Sequence, residues 1–190
     1  LDACSFSYLA DLVNETSTQY LDTGSLMGLL CYRCSMSDFS RYPEALRDVL
    51  EIFEGNPADR NQMLIEYSDQ FTGVPERIAT RPYPLTNQVP HCESDSYVFV
   101  ESLDDPASTP SPRLKFYFAV ENPFGVSARA LSAILDSTIN GLPADQIASM
   151  PIDELVPTLY GKNISMGKGQ GLLSIASVVK RMAQRYARPA

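Results

Sequence analysis

From residue 43 onward the apolar positions fall into helical register. Leu46, Val49, Leu50 and Phe53 stand at i, i+3, i+4 and i+7, which places them on one helix face. Pro43 suits the first turn and Gly55 the stop. Asn56-Pro57 then reads as an N-cap followed by a proline at the first helical position. Leu64, Tyr67, Ser68 and Phe71 carry that second helix toward Gly73. Together the two stretches predict a helical hairpin. Residues 74–91 hold Pro75, Pro82, Pro84 and Pro90. That density excludes a long helix or a central strand and predicts a fixed, extended loop leading to Cys92.

Residues 97–100 form a short apolar strand. After a polar loop over 102–112, Leu114, Phe116, Phe118 and Val120 alternate with Lys115, Tyr117 and Ala119. This is the period of a strand with one buried face. Neighbouring strands joined by a short loop predict an antiparallel hairpin. Asn122-Pro123 reads as the opening of a helix with Val126, Ala130, Ile134 and Leu135 inside and Gly141 at its stop. Residues 143–148 and 151–156 read as short helical turns. Leu172, Ile175, Val179, Met182 and Tyr186 share one face of a long last helix. A helix pair, then strands, then helices is an α+β order. Residues 1–40 carry only weak helical stretches among Ser and Thr and read as an extension with little expected order. Residues 41–190 read as the folded domain.

The totals narrow the function. With 190 residues, 44% hydrophobic and 20% charged, the chain can bury one core without staples. A net charge of -8 and the lack of a long basic stretch argue against nucleic acid and anionic membrane as partners. No apolar run approaches the ~20 residues of a membrane span. Residues 1–40 show neither a basic n-region nor an apolar h-region, so no secretory signal is expected. The expected compartment is the cytoplasm, with a plastid as the alternative. The four cysteines, Cys4, Cys31, Cys34 and Cys92, are scattered and read as reduced thiols. Lys180, Arg181, Arg185 and Arg188 cluster where cations stabilise the negative end of the last helix.

Three chemical candidates compete. A Ser-His-Asp or Cys-His device needs a histidine as base. The sole histidine, His91, adjoins Cys92, and adjacent side chains on an extended chain point opposite ways. His91 therefore reads as a polar turn residue. Cys31-Tyr-Arg-Cys34 has the spacing of half a zinc site, but His91-Cys92 lacks the spacing of the other half. It stands as a minor zinc or redox alternative. Gly161, Gly167, Lys168 and Gly169 imitate a phosphate loop but fail it. Five residues separate the first two glycines instead of four, and Gly169 replaces the metal-binding hydroxyl. That segment reads as a flexible glycine-rich lead-in to the last helix. Cys92 lies where a rigid loop meets a strand, which leaves both a buried inert thiol and a reactive one open.

The segment Asn87-Gln-Val-Pro-His-Cys92-Glu-Ser94-Asp-Ser-Tyr97 resembles the active-site segment of the SufE family, sulfur acceptors of iron–sulfur cluster assembly. Asn87, Val89, Cys92, Ser94 and Tyr97 fall in step with its Asn, aliphatic, Gly-Cys-x-Ser and aromatic positions. Lys168, Gln170, Gly171 and Leu172 resemble the family's basic residue and Gln/Asn-Gly-Leu at the start of its last helix. The resemblance spans about residues 43–187. It implies a SufE/NifU-like α+β fold, with an antiparallel sheet of about three strands packed against helices. It implies that Cys92 accepts sulfur, supported by Asn87, His91, Ser94, Lys168, Gln170 and Gly171. The partners it implies are a SufS-like cysteine desulfurase and an iron–sulfur scaffold. Pyridoxal phosphate would belong to the desulfurase, and this chain would act as a monomer without a cofactor or metal of its own.

Three positions depart from the family pattern. His91 stands where glycine is expected, so the loop is expected to lack glycine's free dihedrals. Lys168 replaces Arg and loses the planar fork. Phe124 and Arg129 replace an acid and a Lys, which alters the expected partner surface. Glu93 and Asp95 flank Cys92, and carboxylates beside a thiol oppose its ionisation. Lys168 is the cation expected to compensate. The main rival reading is a non-catalytic adaptor of the same fold.

Overall fold

The computed structural model describes residues 38–105 and 108–187. Cys4, Cys31, Cys34 and Arg188 lie outside the described residues, as do residues 1–37 of the expected extension. The described residues belong to one unit that begins at Asp38.

Helix α1 spans Glu44–Gly55 and buries Leu46, Leu50 and Phe53, as its periodicity predicts. Glu44 sits in its first turn, where a negative charge meets the positive end of the helix. The backbone and side-chain amides of Asn56 both donate to the Ile52 carbonyl, at 3.1 and 2.8 Å. Asn56 therefore closes α1 and does not open the next helix. Helix α2, Arg60–Asp69, starts at Arg60, behind a turn through residues 57–59.

Strands β1, Ser96–Ser102, and β2, Leu114–Val120, pair antiparallel, with Ser96 opposite Val120 and Ser102 opposite Leu114. The sheet has these two strands. The resemblance implies about three strands; besides the two, a single bridge joins Gln88 to Tyr97 on the outer side of β1. Pro84, Pro90 and a 3-10 turn at Leu85–Asn87 break the approaching chain before a ladder can form.

The proline-rich segment is more than a connector, because it covers the sheet. Tyr117 and Ala119, expected on an open face, are buried. The Arg77 guanidinium lies 5.4 Å from the Tyr117 ring centre, donates to its hydroxyl and pairs with Glu101 at 3.2 Å. Tyr83 packs against Tyr97 and Phe99 at centroid distances of 5.2 and 5.7 Å.

After β2, the Asn122 side-chain oxygen accepts the Phe124 N–H at 2.9 Å. Asn122-Pro123 thus makes an Asx turn, and helix α3 begins beyond it, at Val126–Ile139. Ala130, Ile134 and Leu135 are buried as expected, whereas Val126 is 40% exposed. Gly141 follows with φ 83° and donates to the Leu114 carbonyl, tying the helix end to β2. Helix α4 is Ala144–Ser149. Helix α5, Leu155–Tyr160, falls later than the turn expected over 151–156.

Helix α6 runs over Met166–Tyr186 and buries Leu172, Ile175 and Val179. Gly167 and Gly169 lie in its first turns, so that part of the glycine-rich segment is helical and not a lead-in, while Gly161 ends α5. Of the basic cluster, Arg185 lies in the last turn, while Lys180 donates to the Met150 carbonyl at 2.9 Å. Phe53, Phe116, Leu131, Ile134, Ile147 and Ile175 meet in one core. Each such side chain contributes roughly 1.5–3 kcal/mol on burial. No helix among the described residues is long and apolar enough to cross a membrane.

Candidate functional site

The loop between the 3-10 turn and β1 carries Cys92, and it is pinned at both ends. The Val89 N–H donates to the Ser96 carbonyl at 2.8 Å, and the Asn87 side chain donates to the Val98 carbonyl at 2.8 Å. Inside the loop, the Asp95 N–H donates to the Cys92 carbonyl at 3.3 Å. From the far end of the hairpin, the Glu121 N–H donates to the Asp95 carbonyl at 3.2 Å and the Asn122 N–H to the Ser94 carbonyl at 3.3 Å. The turn is over-determined by backbone bonds, which suits a side chain that must be held in place.

His91 adopts φ 59° and Asp95 φ 44°, both in the left-handed region. The loop therefore uses the glycine-like dihedral at residue 91 without a glycine. This corrects the expectation drawn from the missing glycine. A side chain there costs about 1–2 kcal/mol, and His is among the residues that accept that region.

Cys92 is half-buried, and its Sγ lies 3.1 Å from the Oγ of buried Ser96. Helix α6 presses on the loop from below. A Cβ placed on Gly171 would stand 3.0 Å from the His91 carbonyl oxygen and 3.3 Å from the Cys92 Cα. Glycine is needed there for this approach. The Glu93 carboxylate lies over the first turn of α6, its Oε1 3.1 Å from where a Gly167 Cβ would be. The free N–H groups and positive dipole at a helix start attract such a charge.

Between loop and helices lies a cleft of about 180 Å³, lined among others by Cys92, Glu93, Ser94, Phe124, Gly125 and Lys168. It is smaller than the roughly 300–1,000 Å³ of sites that enclose drug-sized ligands. A cysteine on so small a cleft suits exchange of one or a few atoms with a partner that brings them. Lys168 lines it without a hydrogen bond or ion pair among the described residues. Phe124 and Met166, each 87% exposed, stand at the Asx turn and at the α6 start on either side. Arg129 is spent elsewhere: it donates to the carbonyls of Ser68, at 3.1 Å, and Pro123, at 3.4 Å, and latches α2 to the Asx turn.

The structure brings Cys92, Ser94, Lys168 and Gly171 together at the cleft. His91 contributes its backbone, and its side chain is exposed. Asn87 does not reach the cleft; it fastens the 3-10 turn to β1 and lines a separate groove with Arg77 and Arg185. Gln170 is exposed and lies outside the cleft lining. Sequence reasoning missed Ser96; a lone hydroxyl opening an apolar strand, four residues after Cys92, was the available signal. Among the described residues no group of three or more His, Cys, Asp or Glu could hold a metal ion. The zinc alternative, which needs Cys31 and Cys34, falls outside those residues.

Away from the cleft, Asp104 grips Arg113 at 2.8 Å at the base of the β1–β2 loop. That hydrogen-bonded guanidinium holds the Asp104 carboxyl down at about 2. Glu101 is likewise lowered, chiefly by the Tyr117 hydroxyl and then by Arg77.

No curated protein matches the chain. Among solved structures, a hypothetical protein from Thermus thermophilus, known from a solution structure, matches with a TM-score of 0.60. The match has 18% sequence identity over 76% of this chain and 97% of that one, which shows a shared fold. The family model described as "SufE: Fe-S metabolism associated domain" matches residues 47–184, a span that includes Cys92, its loop and the cleft. The chain belongs to the SufE family of Fe–S metabolism associated domains.

Proposed function

We propose that this protein accepts sulfur on Cys92 from the persulfide of a pyridoxal-phosphate cysteine desulfurase and passes it on for iron–sulfur cluster assembly. The observation that carries this reading is the position of Cys92, half-buried in a backbone-pinned loop and lining a small cleft with Lys168. Family membership ties the chain to iron–sulfur metabolism in general.

The chemistry is an exchange between sulfurs. The Cys92 thiolate attacks the terminal sulfur of the donor persulfide. A new bond forms from Cys92 Sγ to that sulfur, the donor's own S–S bond breaks, and the donor cysteine leaves as a thiolate. The proton on the terminal sulfur travels with it, so no oxidant or reductant is consumed. Rate depends on the thiolate fraction, its nucleophilicity and access. Lys168, across the cleft, favours the anionic sulfur. The narrow cleft shelters the bound sulfur between partners. Pyridoxal phosphate remains with the desulfurase throughout.

The exposed ring and thioether at Phe124 and Met166 favour a second reading, an adaptor that docks through an apolar rim and needs no thiol. Desulfurase turnover separates the two. With cysteine and a mild reductant, wild type should raise alanine release and Cys92→Ser should not. Equal stimulation by both would transfer the function to the docking surface alone.

A further inference from the structure

We propose that Ser96 is a positioning residue for Cys92, its hydroxyl donating a hydrogen bond that holds and stabilises the thiolate. The inference rests on the sulfur-acceptor reading for its purpose, and on geometry for its content. Ser96 is 2% exposed, and a buried hydroxyl needs a partner. The Cys92 sulfur, at 3.1 Å, is the partner of its Oγ among the described residues.

While Cys92 is a thiol, either atom can be the donor. Once the proton has left for solvent, the sulfur can only accept, and the Ser96 O–H must turn to it. A hydrogen bond made to the charged form favours that form. The donor is fixed in place. Ser96 pairs with Val120 in the ladder, and its carbonyl accepts the Val89 N–H. It also fixes the direction of the sulfur, because the Cys92 side chain must lie toward the start of β1 to reach it. The charged and titratable groups around Cys92 are Glu93 and Lys168 on the cleft wall, Asp95 within the loop and His91 beside it. All are more exposed than Ser96. A buried hydroxyl acts in the same way at any salt concentration, whereas Lys168 is screened.

The test is the rate of iodoacetamide alkylation against pH, read on the Cys92 peptide of the full chain. In Ser96→Ala the rising limb of the profile should move to higher pH. The rate at neutral pH should fall several-fold, since the loss of thiolate expected from one charge-assisted hydrogen bond is offset in part by higher nucleophilicity. At high pH, where both are thiolates, Ser96→Ala should match or exceed wild type, because a thiolate of higher pKa is the better nucleophile. Ser96→Thr, which keeps the hydroxyl, should stay with wild type. A Ser96→Ala profile that overlays wild type, or equal shifts in the Ala and Thr variants at unchanged melting temperature, would overturn the proposal. Alkylation needs no desulfurase, so failure of the sulfur-acceptor reading would show separately. The profiles would then differ as expected while no variant took up sulfur.

Discussion

Gly171 lies so close beneath Cys92 that a Cβ on it would stand 3.3 Å from the Cys92 Cα and 3.0 Å from the His91 carbonyl oxygen. The atoms in the way are backbone, not the end of a flexible side chain. Helix α6 and the cysteine loop are therefore fitted to each other at one glycine. Gly171→Ala would gain about 0.8–1.0 kcal/mol of helix propensity, offset by the forced shift of the loop. We expect a melting temperature within a few degrees of wild type and sulfur uptake slowed by about tenfold or more, since small misplacements of reacting groups are costly. Thermal melts beside single-turnover sulfur loading check this. Unimpaired loading would mean that the loop is not positioned by the helix.

His91 holds a left-handed dihedral that glycine adopts freely. His91→Gly should relieve the side-chain cost. Part of that gain is offset by the larger entropy of the unfolded chain, leaving up to about 1 kcal/mol of stabilisation. His91→Val, branched at Cβ, should destabilise instead. Urea denaturation of both variants decides the sign. Destabilisation by Gly would point to a contact of the imidazole that outweighs the backbone term.

Lys168 faces the cleft from the first turn of α6 with no acidic partner of its own among the described residues. Lys168→Ala should slow sulfur uptake several-fold at low salt without unfolding the domain, and the difference should shrink at high salt as screening grows. Equal rates for wild type and variant at low salt would remove Lys168 from the site.

The Asp104–Arg113 clasp gives a pH signature. Asp104 titrates lower in the folded chain, about 2, than the ordinary 3.8. Its contribution to stability is thus complete above about pH 4. It is lost as pH falls through the folded value, because protons then bind the unfolded chain more readily. Wild type should exceed Asp104→Asn in urea midpoint above about pH 4, and the two should converge toward about pH 2. A constant gap across that range would contradict the clasp.

The parts of the fold legible in the sequence are those where one local rule decides. Leu46, Leu50 and Phe53 declare a buried helix face. The alternation from Leu114 to Val120 declares a strand, and the prolines from Pro75 to Pro90 exclude regular structure. The misses occur where two rules compete. Asn56 can end one helix or begin the next, and its amide reaches back to the Ile52 carbonyl. Gly167, Gly169 and Gly171 lower helix propensity, yet packing against the cysteine loop and Ile164 keeps them helical. That Arg77 and Tyr83 cover the outer face of the sheet is a tertiary fact with no local period. At the site, the family resemblance pointed to Ser94, which lines the cleft, but it is Ser96 that meets the sulfur. Asn87 was legible as important and illegible in its role, because only the folded chain places its amide on the Val98 carbonyl.

The most direct measurement is intact mass and peptide mapping after mixing the protein with an active cysteine desulfurase, pyridoxal phosphate and free cysteine. The account predicts added sulfur on the Cys92 peptide of wild type and none there in Cys92→Ser. No added sulfur on Cys92, with the desulfurase turning over, would contradict it and leave this SufE-family fold to act by docking alone.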